Sequence, residues 1–296
     1  MAFDITTELL EELKENPSEF RICRRMPFSD ILPVPMYLCD PVGDEITVSV
    51  LDSETTGFDC EACQIIEIGI VNIRISPSTG AISSITHKLS QLEEPTEPLT
   101  AVITEVTGLT DDMLSGKSFD EDQIADAIKD SDLIVAHNAA FDRPFFDKRF
   151  PELSHLVWAC SMTDITWSNY QLEGRGLQFL MNQTGYFFDG HRAIIDAFAV
   201  VWLLRQVPGA ASCELITSAL KERYVIRAWG SPYAAKNKLR KYGFSWDDGS
   251  KGLNKHWHIS VDKSEIPDVH EFLDTEVYGY ANPAQTELIP LNTRFK

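Results

Sequence analysis

The sequence is short of four things. Long apolar runs are missing: the longest strongly apolar stretch, Ala197 to Leu204, is far below the length a bilayer demands, and Met1 to Leu10 carries acids where a secretory signal would carry bases. Positive charge is scarce, with 26 Lys and Arg against 45 Asp and Glu and a net charge of −19, which excludes a protein that coats polyanions through a broad basic surface. Cysteines are few and scattered, six in 296 residues (Cys23, Cys39, Cys60, Cys63, Cys160 and Cys213), which suits reduced thiols better than a disulfide framework. Cys60 and Cys63 have zinc-ligand spacing, but no second pair follows. Internal repeats and low-complexity tracts are absent as well. With 44% hydrophobic residues the chain can bury a sizeable core, and the expectation is a soluble, cytoplasmic protein with one main domain and smaller additions.

What is present centres on Val48-Ser49-Val50-Leu51-Asp52-Ser53-Glu54-Thr55-Thr56-Gly57-Phe58-Asp59, where an apolar, β-branched run ends in two carboxylates and a glycine turn. Side chains two apart on a strand share a face, so Asp52 and Glu54 project together. Carboxylates side by side repel, and each holds a proton unless a cation lies between them; a hard divalent ion with oxygen ligands is the usual answer. Taken alone, the pair also fits a strand that ends in solvated acids.

In chain order, residues 4 to 15 read as an amphipathic helix stopped by Asn16-Pro17, and Ser18 to Gly43 as an irregular apolar extension lying across the main domain. Three strands follow, 46 to 53, 64 to 75 and 81 to 92, and then helical text from Thr100 to Lys129. Residues 133 to 137 form a short strand. It passes through Asn138 and Asp142 into a helix expected from Arg143 to Phe150. Val157 to Cys160 is a further strand, with helices at Leu172 to Asn182 and Ala193 to Arg205. Asp196 lies inside the apolar text of the last helix, where an unpartnered acid is costly, so it calls for a neighbouring backbone donor or a metal ion.

The composition changes near Gln206 to Gly209. Residues 215 to 296 hold 12 Lys and Arg against 10 Asp and Glu, close to +2, leaving 14 against 35, or −21, for residues 1 to 214. Lys221, Arg223, Arg227, Lys236, Lys238, Arg240, Lys241, Lys251 and Lys255 are interleaved there with Tyr224, Trp229, Tyr233, Tyr242, Phe244, Trp246 and Trp257. That mixture suits a single nucleic-acid strand, with cations on phosphates and rings on bases, and it equally suits a small domain whose rings form its own core. The expected division is an extension at 1–45, a main domain at 46–208 and a small basic-aromatic α+β domain at 222–281.

Three segments together resemble the DEDDh branch of the DnaQ-like 3′–5′ exonucleases: Leu51 to Gly57, Ala136 to Asp142, and His191 to Asp196. Thr107-Gly108-Leu109-Thr110 is similar to a segment these enzymes carry between the first two motifs, and the tail is faintly similar to the small domain of exonuclease-X-like proteins. The resemblance implies an α/β, ribonuclease-H-like fold with a mixed five-stranded sheet flanked by helices. It implies that Asp52, Glu54, Asp142 and Asp196 hold two Mg²⁺ or Mn²⁺ ions, with His191 as the general base and His137 its competitor. It further implies that Thr55, Thr56, Gly57, Phe58 and Asn138 meet the substrate, with Phe58 either wedging against a base or packing as plain core. The expected activity is removal of nucleoside 5′-monophosphates from a 3′ end, single-stranded DNA being the first choice of substrate. A 3′–5′ exoribonuclease of the ribonuclease T kind and an inactive nucleic-acid-binding scaffold are the alternatives. A protein partner is left open, and no membrane is expected.

Overall fold

Period-2 alternation builds a three-layered first unit. The computed structural model describes residues 7–250 and 254–296, so residues 4–6 of the expected first helix, and Lys251, lie outside it. In chain order the elements are α1 (Thr7–Glu15), β1 (Arg24–Arg25), β2 (Met36–Tyr37), β3 (Ile46–Thr55), β4 (Ile65–Ile75), β5 (Ile82–Leu92), α2 (Ala101–Thr107), α3 (Asp111–Leu114), α4 (Glu121–Ile128), β6 (Leu133–Ala136), α5 (Ala139–Arg149), β7 (Trp158–Cys160), α6 (Leu177–Gln183), β8 (Tyr186–Phe187), α7 (Ala193–Gln206) and α8 (Gly209–Leu220).

The main sheet runs β2-β5-β4-β3-β6-β7. The meander β3-β4-β5 is antiparallel, and β6 and β7 join β3 in parallel, giving a mixed α/β sheet. The five expected strands are the core of it, and a two-residue edge strand from the N-terminal extension makes the sixth. Alternate residues go to opposite layers. Val48, Val50, Val71, Ile73, Leu133 and Val135 pack with α7 and α8, whereas Leu51, Ile68, Ile70, Ile134, Ala136 and Trp158 pack with α4 and α5. Each fully buried aliphatic side chain contributes about 1.5–3 kcal/mol relative to exposure. The extension is seated on the first layer: Met26 and Phe28 are buried in it, with the Phe28 ring edge-on to Trp202 at 4.8 Å.

Three boundaries differ from the sequence reading. Helix α5 begins at Ala139 rather than Arg143, because Asn138 enters the left-handed region at φ 89° and turns the chain at once, leaving Pro144 inside the helix. Residues 172–176, expected to be helical, are not; the glycines of Glu173-Gly174-Arg175-Gly176 disfavour a helix, and α6 starts at Leu177. Pro208-Gly209 separates two helices of one unit, since Ala211, Leu215, Ile216 and Ala219 of α8 join the first layer's core. The first unit accordingly comprises residues 1–219 with 295 and 296. Among the described residues no single helix is long and apolar enough to cross a membrane; α7 and α8 reach the length only as a pair bent by 118°, and both are core helices.

The second unit, residues 220–294, contains β9 (Arg223–Ala228), α9 (Lys236–Tyr242), β10 (Ser245–Asp247), β11 (His256–Asp262), α10 (Ile266–Phe272) and β12 (Gln285–Ile289). Its sheet is antiparallel in the order β10-β11-β9-β12. Strand β12 lies beyond the expected end at 281. It is an almost wholly exposed edge strand, so its text shows no buried alternation to read.

Candidate active site

The alternation that builds the core also sorts the acids. Val48 and Val50 face α7, so Asp52 and Glu54, in step with them, face the same way, towards Asp196 in the first turn of α7. Oxygens of Asp52, Glu54 and Asp196 lie within 4.8 Å of one another. Ser53 points to the opposite layer with Leu51. There its backbone N–H (3.1 Å) and hydroxyl (2.8 Å) both donate to Oδ1 of buried Asp142, in the first turn of α5. The early start of α5 therefore brings the fourth acid to the end of β3.

Two residues that the sequence reading passed over bring α7 into place. Gly69 is the cross-strand partner of Asp52, and a Cβ there would collide with the backbone of Ala193 and Ile194. Only glycine lets the start of α7 lie this close to the sheet. Glu67, opposite Glu54 and fully buried, accepts from the Arg192 guanidinium (Nη2 to Oε1, 2.9 Å; Nε to Oε2, 3.0 Å) and from the Ala193 N–H at 3.2 Å. It thereby caps α7 and consumes the nearest cation. A lone glycine and a lone acid inside the apolar run Ile65 to Ile70 were the available signals.

No such partner serves the other four acids, and their proton affinities rise. Burial, followed by the charge of Asp142, Asp196, Glu54 and Glu67, holds Asp52 well above the usual carboxylate range. Glu54 is pushed up to about 8, chiefly by burial and then by Asp196 and Glu67, with Arg192 opposing. Asp142 rises to about 7 through burial, against the Ser53 hydrogen bonds that favour its charged form. Asp196 rises to about 6 through burial, opposed by its bond from the Arg192 N–H (3.1 Å) and by His191. Four carboxylates that cannot all ionise together, offering only oxygen donors, fit a hard divalent cation.

The two histidines differ in availability. His137 donates from Nε2 to the Arg175 carbonyl (2.7 Å), which leaves Nδ1 to accept from the Ser161 hydroxyl (2.8 Å). Burial lowers its pKa to about 4, so it is satisfied and neutral. His191 is exposed and sits in the left-handed region at φ 66°, a costly conformation for a residue with a side chain and one that clusters at functional sites.

The loop after β3 holds the other expected contacts. Thr55 is buried and its hydroxyl donates to the Gly57 carbonyl at 2.6 Å, closing the turn. Thr56 exchanges backbone and hydroxyl bonds with Gln64 (2.9 and 3.0 Å). A Cβ on Gly57 would lie 2.7 Å from Cys63 Sγ. Phe58 is 91% exposed, edge-on to Phe141 at 6.3 Å, so its reading as plain core is wrong: the turn carries the ring outward past the sheet. Asn138 makes no capping bond with its side chain.

The family model RNase_T, described as exonuclease, matches residues 49–204, more than half of the chain. The chain belongs to this family of DnaQ-like exonucleases. The PolC-type DNA polymerase III of Bacillus subtilis (strain 168) is 30% identical over 191 residues, covering 59% of this chain and 12% of that protein. Its counterpart from Thermotoga maritima is 33% identical over 177 residues, covering 57% and 12%. The match thus spans about an eighth of these relatives' length. A solved nuclease domain of 3′hExo, a DEDDh family member bound to rAMP, is 17% identical, with TM-score 0.45, covering 58% of this chain and 96% of that one. Exonuclease X in complex with 5′ overhanging duplex DNA is 24% identical, with TM-score 0.40, covering 53% and 88%.

Proposed function

We propose that the chain is a divalent-metal-dependent 3′–5′ exonuclease that releases nucleoside 5′-monophosphates, with single-stranded DNA as its substrate and the cytoplasm as its setting. The observation that carries this is the set of half-buried carboxylates at the end of β3 and the start of α7, none of them in an ion pair, while Glu67 beside them is fully paired. In this reading Asp52, Glu54, Asp142 and Asp196 hold two Mg²⁺ or Mn²⁺ ions. When bound, such a pair neutralises charge on the attacking and leaving oxygens of a phosphodiester. His191, exposed beside Asp196, takes the proton of the attacking water, the task of a general base. Phe58 projects into solvent and meets the terminal base, and Thr55, Thr56, Gly57 and Asn138 meet the rest of the terminal nucleotide. The relatives named as DNA polymerases support DNA over RNA.

Digestion of 3′- and 5′-labelled DNA and RNA, single- and double-stranded, with Mg²⁺ or Mn²⁺ tests each part. Mononucleotides released from the 3′ end of single-stranded DNA are the expected result. Preferential loss of RNA would give the ribonuclease T alternative, and binding without any metal-dependent cleavage would reduce the chain to a scaffold.

A further inference from the structure

In the second unit the rings divide into two sets. Phe244, Trp257 and Tyr278 are buried in its core, whereas Tyr233 is 87% exposed and Trp246 is 49% exposed. The exposed pair borders one cavity of about 360 Å³, together with Lys236, Arg240 and an edge of Trp257. Local structure holds it open. Trp246 and Trp257 are cross-strand partners in the β10-β11 hairpin, their rings 5.4 Å apart, so Trp246 is braced from below. Tyr233 sits in the turn before α9, and the Lys236 ammonium lies 5.8 Å from its ring centre.

The cations divide in the same way. Lys221, Arg227 and Lys238 are engaged by Asp262, Glu287 and Glu276. Among the described residues no carboxylate pairs with Lys236 or Arg240. The pocket therefore offers two exposed aromatic rings beside two cations without a carboxylate partner, on a chain whose net charge is −19. A ligand with a flat π-surface and an attached anion matches that set, and a cation or a purely apolar ligand does not.

We propose that this pocket binds one nucleotide of a single nucleic-acid strand, its base stacked on Tyr233 and Trp246 and its phosphate on Lys236 and Arg240. The proposal rests on the reading above in one respect, that nucleic acid is what this chain handles. It assigns the binding to a second site, within the small unit.

The test uses the full-length chain in EDTA, where metal-dependent cleavage is silent, and fluorescein-labelled 12-mers of thymidine, of uridine and of abasic deoxyribose. Tyr233→Ala and Trp246→Ala are each expected to weaken binding of a base-bearing strand by roughly 5- to 100-fold, the usual worth of one base on an aromatic ring. Trp246→Phe should recover most of the loss, and tryptophan emission should fall on binding in the wild type and not in Trp246→Phe. Arg240→Gln should flatten the slope of log affinity against log salt by ~0.7. Loss of affinity for either polymer in the ring variants supports the proposal, and the polymer that suffers it is the source of the nucleotide. Unchanged affinity in both ring variants overturns it, as does equal binding of the abasic strand or selective binding of an acidic aromatic peptide instead. Tyr233 is so exposed that its variant tests the idea even if Trp246→Ala fails to fold. Hydrolysis by the wild type in Mn²⁺ is measured apart: a chain that binds as expected but cuts nothing sinks the nuclease reading and leaves the pocket standing.

Discussion

Glu54 and Glu67 face each other across β3 and β4, on the side of the sheet that α7 covers, yet the protein treats them in opposite ways. Glu67 accepts three hydrogen bonds or more from Arg192 and Ala193 and fixes the start of a helix. Glu54 has only other acids around it and the distant pull of Arg192, and its pKa stands near 8. A fold gains nothing from an unpaired buried acid. On the proposed reading, the contrast separates a carboxylate kept for structure from carboxylates kept for a ligand, on adjacent strands and in one layer.

The largest expected effect is on turnover. Asp52→Ala and Asp196→Ala should each abolish metal-dependent hydrolysis while leaving the fold intact, because on the proposed reading each removes an ion's ligand and relieves repulsion among the remaining acids. A variant that is folded by circular dichroism and keeps a tenth or more of the wild-type rate in saturating Mg²⁺ would break the assignment. Next comes the base. His191→Ala should lower kcat by roughly 10²–10⁴-fold with little change in substrate affinity, whereas His137→Ala should act on thermal stability, since both of its ring nitrogens are committed to the protein. If the His137 variant lost more turnover at equal folded fraction, the two roles would have to be exchanged.

Stability sharpens the comparison further. Glu67→Gln should cost about 1.5–3 kcal/mol, the usual worth of hydrogen bonds to a charged group, and Glu54→Gln should stabilise the metal-free protein at pH 8. Urea titrations of the two variants side by side check this; equal midpoints would show that the protein pairs neither acid. The pH dependence of the metal-free chain tests the same contrast without a substitution. Glu54, Asp142 and Asp196 have ordinary values of 4.5, 3.8 and 3.8 and folded values of about 8, 7 and 6. The metal-free folded chain therefore binds protons more tightly than the unfolded chain. That contribution is complete below about pH 4 and is lost as pH rises through 6 to 8, so Tm in EDTA should fall across this range. Mn²⁺ at 100 times its Kd should restore about 2.7 kcal/mol at pH 8, and a metal-free Tm that climbs from pH 6 to 8 would contradict the site's electrostatics.

By itself the sequence determined the sheet and the acids that end it. Alternating β-branched residues in 46–55 and 65–75 leave a strand one way to bury its apolar face, and that same period fixes Asp52 and Glu54 on one side. The boundaries of α5 and the edge strand β12 were not legible, because a left-handed Asn138 and an exposed edge carry no hydrophobic period. Neither was the division of labour among like residues. Glu54 and Glu67, His191 and His137, Trp246 and Trp257 are chemically identical pairs; the motif resemblance put Glu54 and His191 forward, but nothing in the side chains themselves says why. Only the tertiary structure shows which member of each pair is occupied, through partners distant in sequence: Arg192 reaches Glu67, the Arg175 carbonyl occupies His137, and the core of the small unit closes over Trp257 while leaving Trp246 half in solvent. Availability is a property of what has not been paired, and pairing is settled only when the chain has folded.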